Sequence, residues 1–502
     1  MKVFGDGDET GESADIHGVI RIAYHRRWHS NWIIISNLVN VALKKGNSGS
    51  GRSHLMSPAF FLLAAAALAI PVAASATSAD LLRHLSASTI VTVSDGDFVG
   101  QTYATGRLAP AAAGFRDLLS VLSLKDGQLV IANLPVSNSV TAAPEILALD
   151  RQGRTAFVTE RLGPRPEGGQ TIRDLPPGNR LFAVDLTDKG QPRLADTAEI
   201  APFPEALAVS PDGSRVALVS NTSEASFVQL VPYHDGRFRE IFRFNLADLG
   251  VEGASEGPRG GVTATNVQWH PSGRFIAVNI NTQNRVAFFE VADREGRPEL
   301  QLWGNMVEVG ADPFVGRFTP DGRFYITSDW GRNFSATSLE GRVPDRPSAI
   351  SVIRLADPSA SREIRHERIS SAETDVASEG LAVSPDGRYV ATVNMRGTAF
   401  PVDGERFQRE ATVTLLSLDG ETGALTKIGD YPFEGVLPEG GVFDLTGDHF
   451  LATVFHGHES AGEANGPGLE VFRLVKGNNP GLQRLGRIPL PHGVHHVDLT
   501  SG

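Results

Sequence analysis

The sequence predicts an all-β fold, a seven-bladed β-propeller whose last blade is closed by one C-terminal and three N-terminal strands. A four-residue turn recurs between short apolar strands along most of the chain. The composition, with 53 Gly and 30 Pro in 502 residues, favours many short strands joined by turns. The C-terminus stops inside one copy of the repeat, and the N-terminal region supplies the strands that this copy lacks.

The repeat consists of an apolar strand, a Pro-Asp-Gly type of turn, a second apolar strand and two further strands. Pro fixes φ at the start of such a turn, Asp bonds back to the backbone, and Gly accepts a positive φ. The second strands are short and rich in β-branched residues, as in Arg215–Ser220 and Arg388–Asn394. The turns are Ser210-Pro211-Asp212-Gly213, His270-Pro271-Ser272-Gly273, Thr319-Pro320-Asp321-Gly322 and Ser384-Pro385-Asp386-Gly387, with degenerate copies at 150–153 and 444–447.

Seven first strands can be counted, starting near Glu145, Glu205, Thr265, Phe314, Glu379, Glu439 and Val494. One four-stranded sheet cannot bury both of its faces, so the copies must stack in a ring. The seventh copy ends at its turn, and its other strands are expected at Thr89–Val93, Leu118–Leu124 and Leu129–Leu134. Closure of the ring in this way removes exposed sheet edges.

These repeats resemble those of the YVTN-repeat and lactonase-like seven-bladed propeller superfamily, in which an apolar strand, Ser-Pro-Asp-Gly-Arg, a second apolar strand and Asn follow one another. Ser384–Asn394 carries this pattern, and the likeness covers roughly residues 85–502. The resemblance implies the fold. It leaves the activity open, because propellers of this type serve as enzymes, carriers and scaffolds.

The N-terminal region is expected to lie outside the fold. A run of Ala, Leu and Phe from Ala59 to Ala74 is broken by Pro71, and the following Ala76 completes an Ala74-Ser75-Ala76 cleavage sequence. We interpret residues 56–76 as a signal peptide beginning at Met56, and residues 1–55 as an over-extended reading frame. The alternative is an uncleaved anchor with Lys44, Lys45 and Arg52 on the cytoplasmic side.

Composition excludes several classes of function. The chain has no Cys, which rules out disulfides, thiolate catalysis and Cys-ligated metals. Its formal net charge of −12 argues against nucleic acid as a partner. With the leader removed, the mature protein is expected to have no membrane span and to be periplasmic or secreted. Its oligomeric state stays open.

Polar residues recur where the first strands begin and the second strands end, and both places lie at one mouth of the channel. Glu145, Glu205, Glu379 and Glu439 each precede the turn Gly by eight residues. Such a ring predicts a site for a small polar ligand, and crowded carboxylates raise one another's pKa values. The alternative is that these side chains cap strand ends. The predicted ligand-binding residues are Glu145, Glu205, Asn221, Asn281, Asp329 and Asn394.

Histidines concentrate near the C-terminus and are expected at the same mouth. His456 and His458 follow the second strand of the sixth repeat, and His492 stands in Pro491-His492-Gly493 where that repeat has Pro438-Glu439-Gly440. The candidate metal ligands are His456, His458, His492 and His495, for zinc, copper or calcium. Acid/base chemistry without a metal is the alternative.

The resemblance and these residues together favour an exported hydrolase that opens a lactone or a related ester of a small polar molecule. General acid/base groups or a metal-activated water would do the chemistry, because the sequence has no serine-hydrolase elbow. Two alternatives stay open: a non-catalytic periplasmic ligand-binding or scaffold propeller, and a copper-dependent oxidase. The predicted catalytic residues are His456, His492, Glu379 and Glu439, with Arg396 as the oxyanion partner.

Overall fold

The computed structural model describes residues 77–141, 145–253, 262–359, 364–459 and 461–500. The predicted signal peptide (residues 56–76) and the segment 1–55 lie outside the described residues. Seven separate antiparallel sheets follow one another around a ring, which confirms the predicted seven-bladed propeller. We number the blades by the chain order of their innermost strands. The part of the chain that the structure describes contains no helix long and apolar enough to cross a membrane.

The strands are short, as the turn-rich sequence predicts. The N-terminal strands are β1 (Thr89–Ser94), β2 (Leu118–Lys125) and β3 (Gln128–Pro135). Blade 1 contains β4 (Leu147–Leu149), β5 (Thr155–Thr159), β6 (Arg180–Asp185) and β7 (Arg193–Glu199). Blade 2 contains β8 (Pro204–Val209), β9 (Arg215–Asn221), β10 (Ser226–His234), β11 (Arg237–Phe238) and β12 (Phe242–Asn245). Blade 3 contains β13 (Ala264–Trp269), β14 (Phe275–Ile280), β15 (Arg285–Arg294), β16 (Arg297–Leu302) and β17 (Val307–Glu308).

The remaining blades have four strands each. Blade 4 contains β18 (Pro313–Phe318), β19 (Phe324–Asp329), β20 (Pro347–Arg354) and β21 (Glu367–Val376). Blade 5 contains β22 (Ser378–Val383), β23 (Tyr389–Asn394), β24 (Glu410–Leu418) and β25 (Leu425–Glu434). Blade 6 contains β26 (Gly441–Phe443), β27 (His449–Val454), β28 (Gly468–Val475) and β29 (Gly481–Pro489). The C-terminal strand is β30 (Val494–Thr500).

Blade 7 closes the ring as predicted. Its strand order is β3-β2-β1-β30, so one C-terminal strand lies innermost against three N-terminal strands. In the antiparallel ladder Ile90 faces Leu499 and Thr92 faces Val497. Because the two ends of the described chain meet in one sheet, the ring is held shut by backbone hydrogen bonds.

The core lies between adjacent blades. Each neighbouring pair encloses an apolar cluster, for example around Val219 and Val278 between blades 2 and 3 and around Val393 and Phe450 between blades 5 and 6. Helix α1 (Ser78–His84) begins with a capping box formed by Thr77 and Asp80, and its Leu81 packs into the cluster between blades 6 and 7. This radial packing fixes the blades around the channel.

The loop face, where first strands begin and second strands end, carries two short helices. Helix α2 (Thr102–Thr105) lies in the long connection between β1 and β2, and helix α3 (Leu339–Arg342) lies in the connection between β19 and β20. The Pro-Asp-Gly turns lie on the opposite face, which we call the turn face.

A β-bulge recurs at the start of the innermost strands. In β22 the pairing with β23 skips between Ser378 and Gly380, which places Glu379 at the irregular position. Corresponding breaks in β8 and β30 fall at Glu205 and His495. A bulge bends its strand and changes the direction of the side chain it carries. These residues therefore depart from the alternation of the rest of the strand.

Candidate functional site

Two carboxyl groups meet at the channel axis. Glu379 and Glu439 come from neighbouring blades, are 3% and 6% exposed, and line one small cavity. The two carboxyl groups interact electrostatically, and Glu379 Oε1 is a buried oxygen without a hydrogen-bond partner among the described residues. Burial raises the pKa of Glu379 to about 7. Burial and the charge of Glu379 raise the pKa of Glu439 well above its ordinary value. Near neutral pH the pair therefore retains a proton, held on Glu439.

Tyr103 connects this pair to the loop face. It lies in α2, and its hydroxyl donates a hydrogen bond to Glu439 Oε1. Burial and the neighbouring carboxylates Glu379 and Glu439 raise its pKa well above 10, so it stays a neutral phenol. The same ring lines the small carboxyl cavity and a larger one on the loop face. Tyr103 thus stands between the outer cavity and the carboxyl pair.

The loop-face cavity has a volume of about 290 Å³ and contains three arginines, Arg161, Arg332 and Arg342. Its apolar walls include Phe98, Ile172, Trp330, Leu339 and Val343. Arg161 and Arg332 are ion-paired with Glu205 and Asp312, respectively. Arg342 forms no ion pair with a described residue, which leaves one uncompensated positive charge at the cavity. Such a site suits a ligand that carries a carboxylate or a phosphate.

Arg332 is the most constrained of the three. Its side chain is 14% exposed and lies 3.5 Å from Asp312 Oδ2. The guanidinium packs over Trp330, 4.6 Å from the ring centroid. The atom that faces Asp312 is Nε, which is buried and makes an ion pair there without hydrogen-bond geometry. Its charge opposes the rise in the pKa of Glu379, so the guanidinium and the carboxyl pair act on each other electrostatically.

The other two predicted glutamates have different partners. Glu205 Oε2 accepts from Arg161 Nε at 3.0 Å, so it orients one of the cavity arginines. Glu145 points into the channel, where it accepts hydrogen bonds from Asn266 Nδ2 at 3.0 Å, from Gln268 and from Arg317. The structure therefore brings Glu379 and Glu439 together and gives Glu205 and Glu145 separate surroundings.

The predicted amide and Asp positions bond to neighbouring strands. Asn221 exchanges two hydrogen bonds with the backbone of Ala264 in the next blade, at 2.8 and 2.9 Å. Asn281 donates to Asp312, and Asn394 donates to Thr412 and Thr414. Asp329 accepts from Thr327 and Ser351, and burial raises its pKa to about 7. These bonds match the strand-capping alternative of the sequence.

The four predicted metal-binding histidines are spread over several environments. The rings of His456 and His492 stack with centroids 5.5 Å apart. His456 Nε2 accepts from Gly100 N at 2.9 Å, while its Nδ1 lies 2.7 Å from Gly457 O. His458 bonds to the Arg409 carbonyl, and His495 bonds to Asn138. Burial lowers the pKa of His492 to about 4 and keeps the ring neutral.

Two sequence expectations about positions need adjustment. The register places His495, not His492, at the position of Glu379 and Glu439, because the bulge of β30 falls at His495. Arg396 lies 3.3 Å from Asp375 and donates to the Glu410 carbonyl, and it does not line the loop-face cavity. Among the described residues, the acidic or imidazole groups close enough to share a cation are Asp95, Asp97 and Asp117.

Sequence reasoning missed Tyr103 and the role of Arg332. Tyr103 belongs to the connection between β1 and β2, which lies outside the repeat and carries no turn motif. Arg332 stands three residues after Asp329, at the start of the long connection between β19 and β20. The sequence signal for Arg332 was its position just after a second strand. Several other loop arginines have the same position, so this signal did not distinguish Arg332.

The fold and this axial site define a seven-bladed propeller with a carboxyl pair beneath a cationic cavity. No family model and no curated protein matches the chain in sequence. Its fold is similar to that of the Pseudomonas aeruginosa periplasmic gluconolactonase PpgL, with a TM-score of 0.53, 17% identity, and coverage of 82% of this chain and 99% of that one.

Two further solved structures show the same likeness. A candidate 6-phosphogluconolactonase from Bacteroides uniformis matches with a TM-score of 0.53, 16% identity, and coverage of 82% of this chain and 99% of that one. A Desulfotomaculum acetoxidans protein of unknown function matches with a TM-score of 0.53, 12% identity, and coverage of 82% and 98%. At these identities the comparisons establish the propeller fold, and its structural neighbours include gluconolactonases.

Proposed function

We propose that this protein is an exported lactonase-like hydrolase that opens a small, anionic, polyhydroxylated lactone in the loop-face cavity. The observation that carries the proposal is the buried Glu379–Glu439 pair, joined through Tyr103 to a cavity containing three arginines. The gluconolactonases among the structural neighbours support the substrate class.

The cavity would hold the substrate through its charge. Arg161 and Arg342 bind the carboxylate or phosphate group, since guanidinium groups match these anions with paired hydrogen bonds. The Arg332 guanidinium, which lines the cavity, stabilises the oxyanion that forms when water adds to the lactone carbonyl. The apolar walls exclude bulk water from the reacting ester.

The carboxyl pair would act as a base through Tyr103. As water attacks the carbonyl carbon, one of its protons passes to the Tyr103 oxygen, and the Tyr103 proton passes to Glu439. The proton already held by Glu439 moves to Glu379, which leaves both carboxyl groups protonated. The tetrahedral intermediate then breaks its ring C–O bond, and the same chain returns a proton to the leaving oxygen. A base with a pKa near 7 suits this exchange at neutral pH.

The test compares Glu379→Gln with the exposed control Glu405→Gln. Gluconolactone and its 6-phosphate are supplied to the purified protein, and acid release is followed with and without a chelator. We expect kcat/KM to fall at least about 100-fold in Glu379→Gln and in Tyr103→Phe, with little change in the control or with chelator. Unchanged turnover in both Glu379→Gln and Glu439→Gln would refute the assignment.

The same experiment separates the non-catalytic alternative. A propeller that only binds its ligand would bind the lactone in a manner dependent on Arg332, yet release no acid above the uncatalysed rate. His456 and His492 take part in no proton transfer of this proposal. Because both contact the segment that carries Tyr103, His492→Ala should lower kcat/KM less than Tyr103→Phe does.

A further inference from the structure

A second cavity occupies the opposite end of the channel. It has a volume of about 400 Å³, and all seven blades contribute to its lining. Pro211, Pro271 and Pro320, from three of the recurring turns, place its opening on the turn face. The hydrolase proposed above uses the loop-face cavity, so this second space has no part in that reaction.

The polar side chains of this cavity depart from the residue pattern of the repeat. The residue two positions before each turn is structurally equivalent in the seven blades, and four of these residues are Ala148, Ala208, Ala382 and Val442. The same position holds Gln268 in blade 3, Arg317 in blade 4 and Asp498 in blade 7. Small apolar residues therefore satisfy the fold at this position. The three large polar residues are not required by strand geometry, and all of them line the cavity.

The charges in the cavity do not cancel. Arg317 is paired with Glu145, whose carboxylate also accepts from Asn266 and Gln268. Asp498 accepts from the backbone of Leu149 and Leu499, at 2.8 Å each. Among the described residues, no Lys or Arg forms an ion pair with Asp498. One negative charge is therefore left without a bonded cation.

The walls around these charges are apolar and aromatic. Trp269, Phe318 and Phe443 line the cavity together with Leu207, Val383 and Val442. Aromatic rings attract cations, and apolar walls favour a ligand with a hydrocarbon body. Burial raises the pKa of Asp498 to about 6, so its carboxylate is mostly ionised above pH 7. A bound cation would stabilise that charge.

We infer that the turn-face end of the channel is a second binding site, selective for a small organic ammonium ion whose charged head contacts Asp498 and whose hydrocarbon part packs on Trp269 and Phe318. The Gln268 side-chain amide oxygen supplies a further acceptor for the ammonium hydrogens. Arg317 is held by Glu145, and its charge discourages a second cation.

Butylammonium is the probe, and the isosteric neutral butanol is its matched control ligand. Isothermal titration calorimetry on the full chain at pH 7.5 should show one butylammonium site per chain and at least tenfold weaker binding of butanol. Asp498→Asn should weaken butylammonium binding at least tenfold, whereas the exposed control Asp403→Asn should leave it unchanged.

Two further measurements keep the test decisive. Val442→Phe adds bulk to the cavity from a blade that supplies no polar group, and should abolish butylammonium binding while the circular dichroism spectrum stays unchanged. Lactone hydrolysis should continue in Asp498→Asn, which separates this site from the proposed hydrolase. Absence of butylammonium binding to the wild type, equal binding of butanol, or full binding to a folded Asp498→Asn would each overturn the inference.

Discussion

The buried carboxyl pair should make the stability of this protein fall as the pH rises. Burial raises the pKa of Glu379 from 4.5 to about 7, so the folded protein keeps a proton that the unfolded chain has released. Between these two values the folded state binds more protons, and the free energy of unfolding therefore decreases with pH. At about 1.4 kcal/mol per pH unit, the loss is about 3 kcal/mol by the time the pH exceeds 7.

Glu379→Gln removes this dependence, because an amide of nearly the same shape does not titrate. We expect the stability of the variant relative to the wild type to improve by about 3 kcal/mol between pH 4 and pH 8. Urea denaturation at both pH values measures the two free energies of unfolding. Removing one carboxylate also lowers the pKa of Glu439, which adds to the change in the same direction.

The exposed Glu405→Gln serves as the control and should show no such change. A relative stability of Glu379→Gln that is constant within about 1 kcal/mol across this pH range, or that falls with pH, would show that folding does not raise the pKa of Glu379. The base with a pKa near 7 that the proposed reaction needs would then be absent.

Two further predictions concern the scaffold. Arg487→Met should lower the free energy of unfolding, measured by urea denaturation, by about 3 kcal/mol. The substitution removes a fully buried guanidinium from Glu470, which is itself fully buried. A decrease below about 1 kcal/mol would show that the ion pair with Arg484 is enough to stabilise Glu470. Ending the chain after Gly493 removes β30, which should expose the edge of β1 and produce aggregates in size-exclusion chromatography. A synthetic peptide of residues 494–502 should restore the monomer, and a truncated chain that stays folded and monomeric without it would contradict the closure.

The propeller could be predicted from the sequence because its determinants are local. Each Pro-Asp-Gly turn sets the backbone within four residues, as in Ser210–Gly213, where Gly213 donates to the Ser210 carbonyl at 2.8 Å. The strands on either side of the turn form if their side chains alternate correctly between the two faces of the sheet. The closure of the ring could be predicted by counting innermost strands. The seventh such strand lies at the C-terminus, and the strands that complete its sheet lie at the other end of the fold, starting near residue 89.

The site was only partly predictable, because side-chain direction depends on bulges that the sequence does not announce. Glu145 and Glu379 have the same spacing to their turns, yet Glu145 bonds to Arg317 in the turn-face cavity while Glu379 meets Glu439 nearer the loop face. Their equal spacing to the turn predicted the same position at the channel mouth for both glutamates. The structure shows that the neighbours in the adjacent blades decide where each carboxylate goes.

Residues outside the repeat were the hardest to assign. Tyr103 reaches the channel because the connection between β1 and β2 is anchored by hydrogen bonds to side chains, including Gly100 N to His456 Nε2 at 2.9 Å. His456 therefore positions the segment that carries Tyr103, a role that no spacing of histidines would indicate. Of the four histidines that suggested a metal in the sequence, His456 and His492 hold this segment in the structure.

The two cavities suggest how a repeated fold acquires distinct sites. Seven equivalent positions meet at the axis at each level of the channel, so a substitution in any one blade places its side chain beside those of the other six. At the level of Glu379 two glutamates come from adjacent blades, and the charge of Glu379 adds to burial in raising the pKa of Glu439. At the level of Asp498 three substitutions among small residues produce a charged cavity. Since the interblade cores lie away from the axis, such changes cost the fold little, and the axis is where this scaffold can vary its chemistry.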